Sequence, residues 1–254
     1  MAVDNLQAEI LSSSQSLNIF TDASSTAIRM SGNYGVRQAY CSGFIIYDGY
    51  IAVDMYYEID RITNDTNYAE LNSIYLALQL VANKYNNSNI IRYINIFSDS
   101  LEAVTLIRNQ KRLNEIIYHN DIELYRHSIR LNSLLLQIMK LLSESTMYIN
   151  IYHIRGHMDE SQIRRFKSEF CRYNGRKDNN MISNDIALFL IDGNYNVDNF
   201  TRFHAQYQIA TYYDFYANEY LDKKPVLYYL PRKEDYNLDK VKWLVNNTTR
   251  NSFY

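Results

Sequence analysis

Four carboxylates stand where this chain could do chemistry: Asp22, Glu70, Asp99 and Asp185. Asp22 and Asp99 each follow an apolar run ending in an aromatic and a hydroxyl residue, Ile19-Phe20-Thr21 and Ile96-Phe97-Ser98, and each precedes short polar residues. Such runs read as strands. If the two strands are neighbours, their carboxylates meet at one sheet edge. Glu70 and Asp185 fall in the first turns of predicted helices, where an acid also complements the helix dipole. Clustered carboxylates repel unless a cation neutralises them, and hard oxygen ligands select Mg²⁺ or Mn²⁺ over zinc. A pair of such ions roughly 4 Å apart can activate a water and stabilise the departing oxygen of a phosphodiester. The acids therefore point to phosphoryl chemistry without naming a substrate.

The elements that must position these acids follow from periodicity. Leu17–Thr21 reads as a strand. Tyr40–Tyr47 and Tyr50–Ile59, separated by Asp48-Gly49, read as a hairpin. A helix opens at Asn67, with Leu71, Ile74, Leu78 and Val81 at helical spacing and Asn67-x-x-Glu70 resembling a capping box. Arg92–Phe97 is a strand, and Ser100 is placed to cap a helix through Leu101, Val104 and Ile107. Residues 113–142 read as helical, with a break near His119-Asn120, and Met147–Ile154 as a strand ending at Arg155-Gly156-His157. Ile163–Tyr173 is a helix stopping at Asn174-Gly175, and another starts near Ser183 and runs through Leu190. Hairpins followed by crossovers give an α/β fold, a mixed five-stranded sheet flanked by helices.

Composition excludes more than it selects. With 26 Lys+Arg against 28 Asp+Glu the chain is not a uniformly basic nucleic-acid binder, though a local basic surface is allowed. Cys41 and Cys171 are too few for a disulfide scaffold and read as thiols in a reducing compartment, with no disulfide-linked partner. No window approaches the ~18 apolar residues of a membrane span, and the acidic start MAVDNLQAEILSSSQS lacks the basic region of a signal peptide. The expected location is cytoplasmic. Twenty-five tyrosines beside many Asn and Ile fit AT-rich codons, compatible with a bacterium or its phage.

The stretch from about Leu17 to Ile191 resembles type 1 ribonuclease H. The motifs carrying the resemblance are Ile19-Phe20-Thr21-Asp22-Ala23-Ser24, Thr66-Asn67-Tyr68-Ala69-Glu70-Leu71, Phe97-Ser98-Asp99-Ser100, Ile154-Arg155-Gly156-His157 and Asn184-Asp185-Ile186-Ala187. Ala23 stands where the family commonly has Gly. The resemblance implies a ribonuclease H-like sheet, three antiparallel strands followed by parallel ones. It also implies two Mg²⁺ or Mn²⁺ ions on Asp22, Glu70, Asp99 and Asp185, with Asp99 orienting the attacking water. His157 would assist proton transfer or product departure. Asn67 would contact the RNA strand, where the 2′-OH distinguishes RNA from DNA, and Ser24 and Ser100 would lie against substrate. The implied activity is hydrolysis of the RNA of an RNA–DNA hybrid. The rival readings are another nuclease or resolvase of this fold, and a non-catalytic nucleic-acid-binding or assembly subunit.

Two departures accompany the resemblance. Twenty-eight positions separate His157 from Asp185, more than the family's usual spacing, and the segment of about 158–182 is basic: Arg164, Arg165, Lys167, Arg172, Arg176 and Lys177. Arg164, Arg165 and Lys167 are expected to contact phosphates without sequence preference. The insertion leaves Asp178 as the alternative fourth acid. The second departure is the C-terminal stretch. The expected organisation is a tether over 1–16, a catalytic domain over 17–191, and an extension over 192–254 packed on the core. Arg108, Lys111, Arg112, Arg126 and Arg130 are a possible counterpart of the family's basic protrusion, diluted by Glu115, Asp121 and Glu123.

Overall fold

The computed structural model describes residues 15–29, 36–60, 65–86, 88–109, 122–175 and 182–221. Five strands form one sheet: β1 (Ser16–Arg29), β2 (Val36–Asp48), β3 (Ile51–Asp60), β4 (Tyr93–Ser98) and β5 (Tyr148–His153), in the order β3-β2-β1-β4-β5. The first three are antiparallel, and β1, β4 and β5 run parallel. This is the mixed sheet expected from the sequence. The helices are α1 (Thr66–Lys84), α2 (Leu101–Arg108), α3 (Ile122–Glu144), α4 (Ile163–Tyr173) and α5 (Asn184–Leu221), with a 3₁₀ turn at Glu160–Gln162 before α4.

Side-chain alternation along the strands divides the core into two layers. One buries Leu17, Ile19, Ile94 and Ile96 against α1, α2 and α3, through Leu71, Ile74, Ile107, Leu135 and Ile138. The other buries Phe20, Phe97 and Tyr152 against α4 and α5, through Phe166, Phe170, Ile186 and Leu190. On this second face the parallel register stacks like residues in rows. Asn18, Asn95 and Asn150 form an amide ladder, each link 3.1 Å. One row further, Phe20 stacks on Phe97 at 5.0 Å and Phe97 on Tyr152 at 5.4 Å. Aromatic pairs of this kind contribute about 0.5–1.5 kcal/mol each beyond their buried area.

Several boundaries differ from the sequence reading, each for a visible reason. β1 does not stop at Thr21; antiparallel pairing with β2 carries it on to Arg29. Its parallel pairing with β4 does stop there, at Thr21↔Ser98. The helix α1 opens one residue earlier than expected, capped by Asp65, whose carboxylate accepts from the Asn67 N–H at 2.9 Å. Glu70 is thus not part of a capping box. Ser100 caps α2 as expected, accepting from the Ala103 N–H. Gly175, with φ of 68°, follows α4 in the left-handed conformation anticipated for Asn174-Gly175.

The chain divides into two compact units, Met1–Ala205 and Gln206–Tyr254. Because α5 runs unbroken past Ile191, residues 192–205 belong to the unit that contains the sheet. Residues 222–254 lie outside those described, as do Lys111, Arg112, Asp178, Arg176 and Lys177. Among the described residues no helix is long and apolar enough to cross a membrane. Both cysteines are buried free thiols.

Candidate metal centre

The register that ends at Thr21↔Ser98 delivers the next residue of each strand, Asp22 and Asp99, to the same place. Glu70 arrives from the first two turns of α1. One carboxylate oxygen from each of the three lies within 4.8 Å of the others. Asp22 and Glu70 are buried and Asp99 is half-buried.

Three buried carboxylates so close cannot all stay ionised without compensation. Burial, then the Asp99 charge, raises Asp22 from its ordinary 3.8 to about 7. Burial, then the charges of Asp22 and Asp99, holds Glu70 well above the usual range. Asp99 is also raised, mainly by burial. Glu70 Oε2 is buried without a hydrogen-bond partner. A buried carboxyl oxygen without a partner, in a cluster of three acids, fits a hard divalent cation and nothing apolar.

The cluster is gripped from α5. Thr201 donates its hydroxyl to Asp22 Oδ2, and Ser24 Oγ lies 3.3 Å from that oxygen and 3.0 Å from the Thr201 hydroxyl. Asn194 hydrogen-bonds the Asp99 carboxylate from a buried position. Asp198, between them, is near enough that its charge raises all three acids. Residues 194, 198 and 201 share one helix face. Close approach of α5 depends on Gly193, where a Cβ would overlap the Phe20 ring.

Asp185 is not among the three acids that the structure brings together, and Asp178 lies outside the described residues. Asp185 is exposed in the first turn of α5. It lies nine residues before Asn194, roughly 14 Å back along the helix axis. Asp198, by contrast, is a carboxylate of the same helix whose charge reaches all three clustered acids. A signal exists in the sequence, polar residues at i, i+4 and i+7 within an otherwise apolar face, but it falls beyond the expected domain end.

The remaining site residues are distributed unevenly. Gly156 brings its backbone against Asp99, since a Cβ there would overlap Asp99 Oδ2. His157 follows with φ of 55°, exposed, and its charge acts on Asp99. His153, which no sequence motif marks, is buried with Nε2 3.2 Å from the Asp99 carbonyl. A carbonyl only accepts, so Nε2 carries the hydrogen. Ser24 points to Asp22 and Ser100 caps α2, so both hydroxyls have partners within the protein. Asn67 is half-buried at the start of α1.

The basic residues divide similarly. Arg165 pairs with Glu169 at 3.0 Å, Lys167 reaches Asn184 at 3.3 Å, and Arg164 is exposed. Arg108 is a brace, donating to the carbonyls of Tyr173 and Ile151 and to Asn174 Oδ1. Arg130 lies over the Tyr68 ring at 5.1 Å.

No protein-family model and no curated protein matches the chain. Among solved structures, a foamy viral protease-reverse transcriptase in complex with dsDNA is 16% identical with a TM-score of 0.40, covering 63% of this chain and 91% of that one. The N-terminal RNase H domain of Rv2228c from Mycobacterium tuberculosis, fused to maltose binding protein, is 16% identical with a TM-score of 0.33 and the same coverages, 63% and 91%. The NurA nuclease from Sulfolobus solfataricus is 14% identical with a TM-score of 0.41, over 82% of this chain and 86% of that one.

Proposed function

We propose that the protein is a metal-dependent endoribonuclease that hydrolyses the RNA strand of RNA–DNA hybrids. The observation that carries this reading is the convergence of Asp22, Glu70 and Asp99 within 4.8 Å, with Glu70 Oε2 left unpartnered. These three would hold Mg²⁺ or Mn²⁺, two ions in the full site, and Asp198 supplies the fourth carboxylate. Divalent ions bound there would lower the pKa of a water and neutralise charge on the phosphodiester.

The chain's own groups perform the rest. Thr201 and Ser24 hold one oxygen of Asp22, and Asn194 holds Asp99, so the carboxylates are fixed before substrate arrives. Asp99 orients the attacking water, and His157, on the loop beside it, moves a proton to or from the departing oxygen. Asn67, at the start of α1, would read the 2′-OH.

Labelled RNA–DNA hybrid, single-stranded RNA, duplex RNA and duplex DNA, each incubated with the full chain and Mg²⁺ or Mn²⁺, test the substrate. Internal cuts in the RNA of the hybrid alone, stopped by EDTA, are expected. Equal cleavage of duplex DNA would sink the substrate assignment and leave a nuclease of another specificity.

A further inference from the structure

Beside the acid cluster, between the end of β5 and α4, lies a cavity of about 460 Å³. Asp99 forms one wall. Arg155, His157, Gln162, Arg165 and Tyr173 are among the residues that form the others. Leu101, the first residue of α2, also lines it, so the positive end of that helix is at the cavity.

The two arginines are held in place. Glu169, whose side chain is only 13% exposed, lies 3.0 Å from Arg165 Nε and 3.5 Å from Arg155 Nη1. One carboxylate therefore steadies two guanidinium groups. Arg165 commits Nε to it, and its terminal Nη groups have no partner among the described residues. Guanidinium forks with open donors match phosphate oxygens. The formal charge of the lining is positive, since Asp99 is the sole carboxylate in it. Arg164, by contrast, does not line the cavity, and neither does Lys167.

We infer that this cavity seats a phosphodiester neighbouring the scissile one on the cleaved strand, through Arg155 and Arg165 steadied by Glu169. The inference rests on the nuclease reading and deepens it. A strand whose reacting phosphate sits at Asp22, Glu70 and Asp99 must carry another phosphate one nucleotide away, and this is the cationic space that adjoins Asp99. Anchoring that neighbour fixes the strand's register over the carboxylates. It also gives the inserted helix a purpose: α4 supplies Arg165 and the Glu169 brace, and the strand end supplies Arg155.

The test is a binding cycle in EDTA, which needs no cleavage. Full-length protein and the Arg155→Ala/Arg165→Ala variant are titrated with RNA–DNA hybrids in which one RNA phosphate is replaced by a neutral methylphosphonate, on either side of the cut site. For the unmodified protein, one of the two positions is expected to weaken binding and to lower the slope of log affinity against log salt by about 1. For the variant the same replacement is expected to have no further effect. Glu169→Gln, which keeps the shape but loosens the brace, should fall between the two. If the phosphonate penalty at both positions is the same in protein and variant, the subsite is overturned. Failure of the nuclease reading would show separately, as absence of hybrid cleavage by the unmodified protein with metal.

Discussion

Thr201 is the residue whose role is least expected from its type, a helical hydroxyl that donates to Asp22, one of the three clustered carboxylates. Partners that orient a ligand in this way commonly affect metal affinity by about 10–100-fold when removed. Thr201→Val should weaken Mn²⁺ binding, followed by calorimetry, within that range, and Thr201→Ser should restore it. Equal affinity in all three proteins would make the contact incidental. The carboxylates make a second prediction. Without metal, Asp22 titrates at about 7 instead of 3.8, because of burial and then Asp99. The folded protein then binds a proton that the unfolded chain has released, so stability is present below about 4 and is lost as pH rises to about 7. The melting temperature of the metal-free protein should fall across that interval. Asp22→Asn should flatten the fall, and added Mg²⁺ should stabilise increasingly toward its upper end. A metal-free profile that rises through the interval would contradict the assignment.

At the scale of elements, α5 decides the site. It crosses β1 at Gly193, where any side chain meets the Phe20 ring. Gly193→Ala should cost about 1–3 kcal/mol, the usual range for overpacking, seen as a lower denaturation midpoint. Because the helix also carries Asn194 and Thr201, Mn²⁺ affinity should fall with it. Unchanged stability would mean that the helix shifts without cost. The strand acids were legible in the sequence because the same short pattern precedes Asp22 and Asp99, and a parallel register turns that repetition into proximity. Glu70 was legible from its place at a helix start, although its expected capping role was not its real one. Asp198 was missed because its signal, polar residues at i, i+4 and i+7, falls beyond the expected end of the catalytic domain. Its selection depends on Gly193 and on the layer that α5 covers, both tertiary facts. Arg108 misled for a related reason: a basic residue at a helix end looks solvent-facing until the carbonyls that it binds are seen.

At the scale of the molecule, the formal charge of -2 hid two opposed concentrations. Carboxylates gather on the sheet at the ends of β4 and the parallel part of β1, and cations gather on α4 and the end of β5. The cationic side is braced internally by Glu169, which bridges Arg155 and Arg165. Layers of helix on both faces of the sheet exclude water from the acids and raise their affinity for protons. A divalent cation relieves the same cost, so the fold itself supplies the drive for metal binding. Titration of the full chain with Mn²⁺, followed by electron paramagnetic resonance, tests this most directly. The account predicts that the protein depletes the free Mn²⁺ signal in a saturable way and that Asp99→Asn, properly folded, loses most of that capacity. A folded protein that leaves the free Mn²⁺ signal untouched, or an Asp99→Asn variant that binds Mn²⁺ as well as the parent, would contradict it.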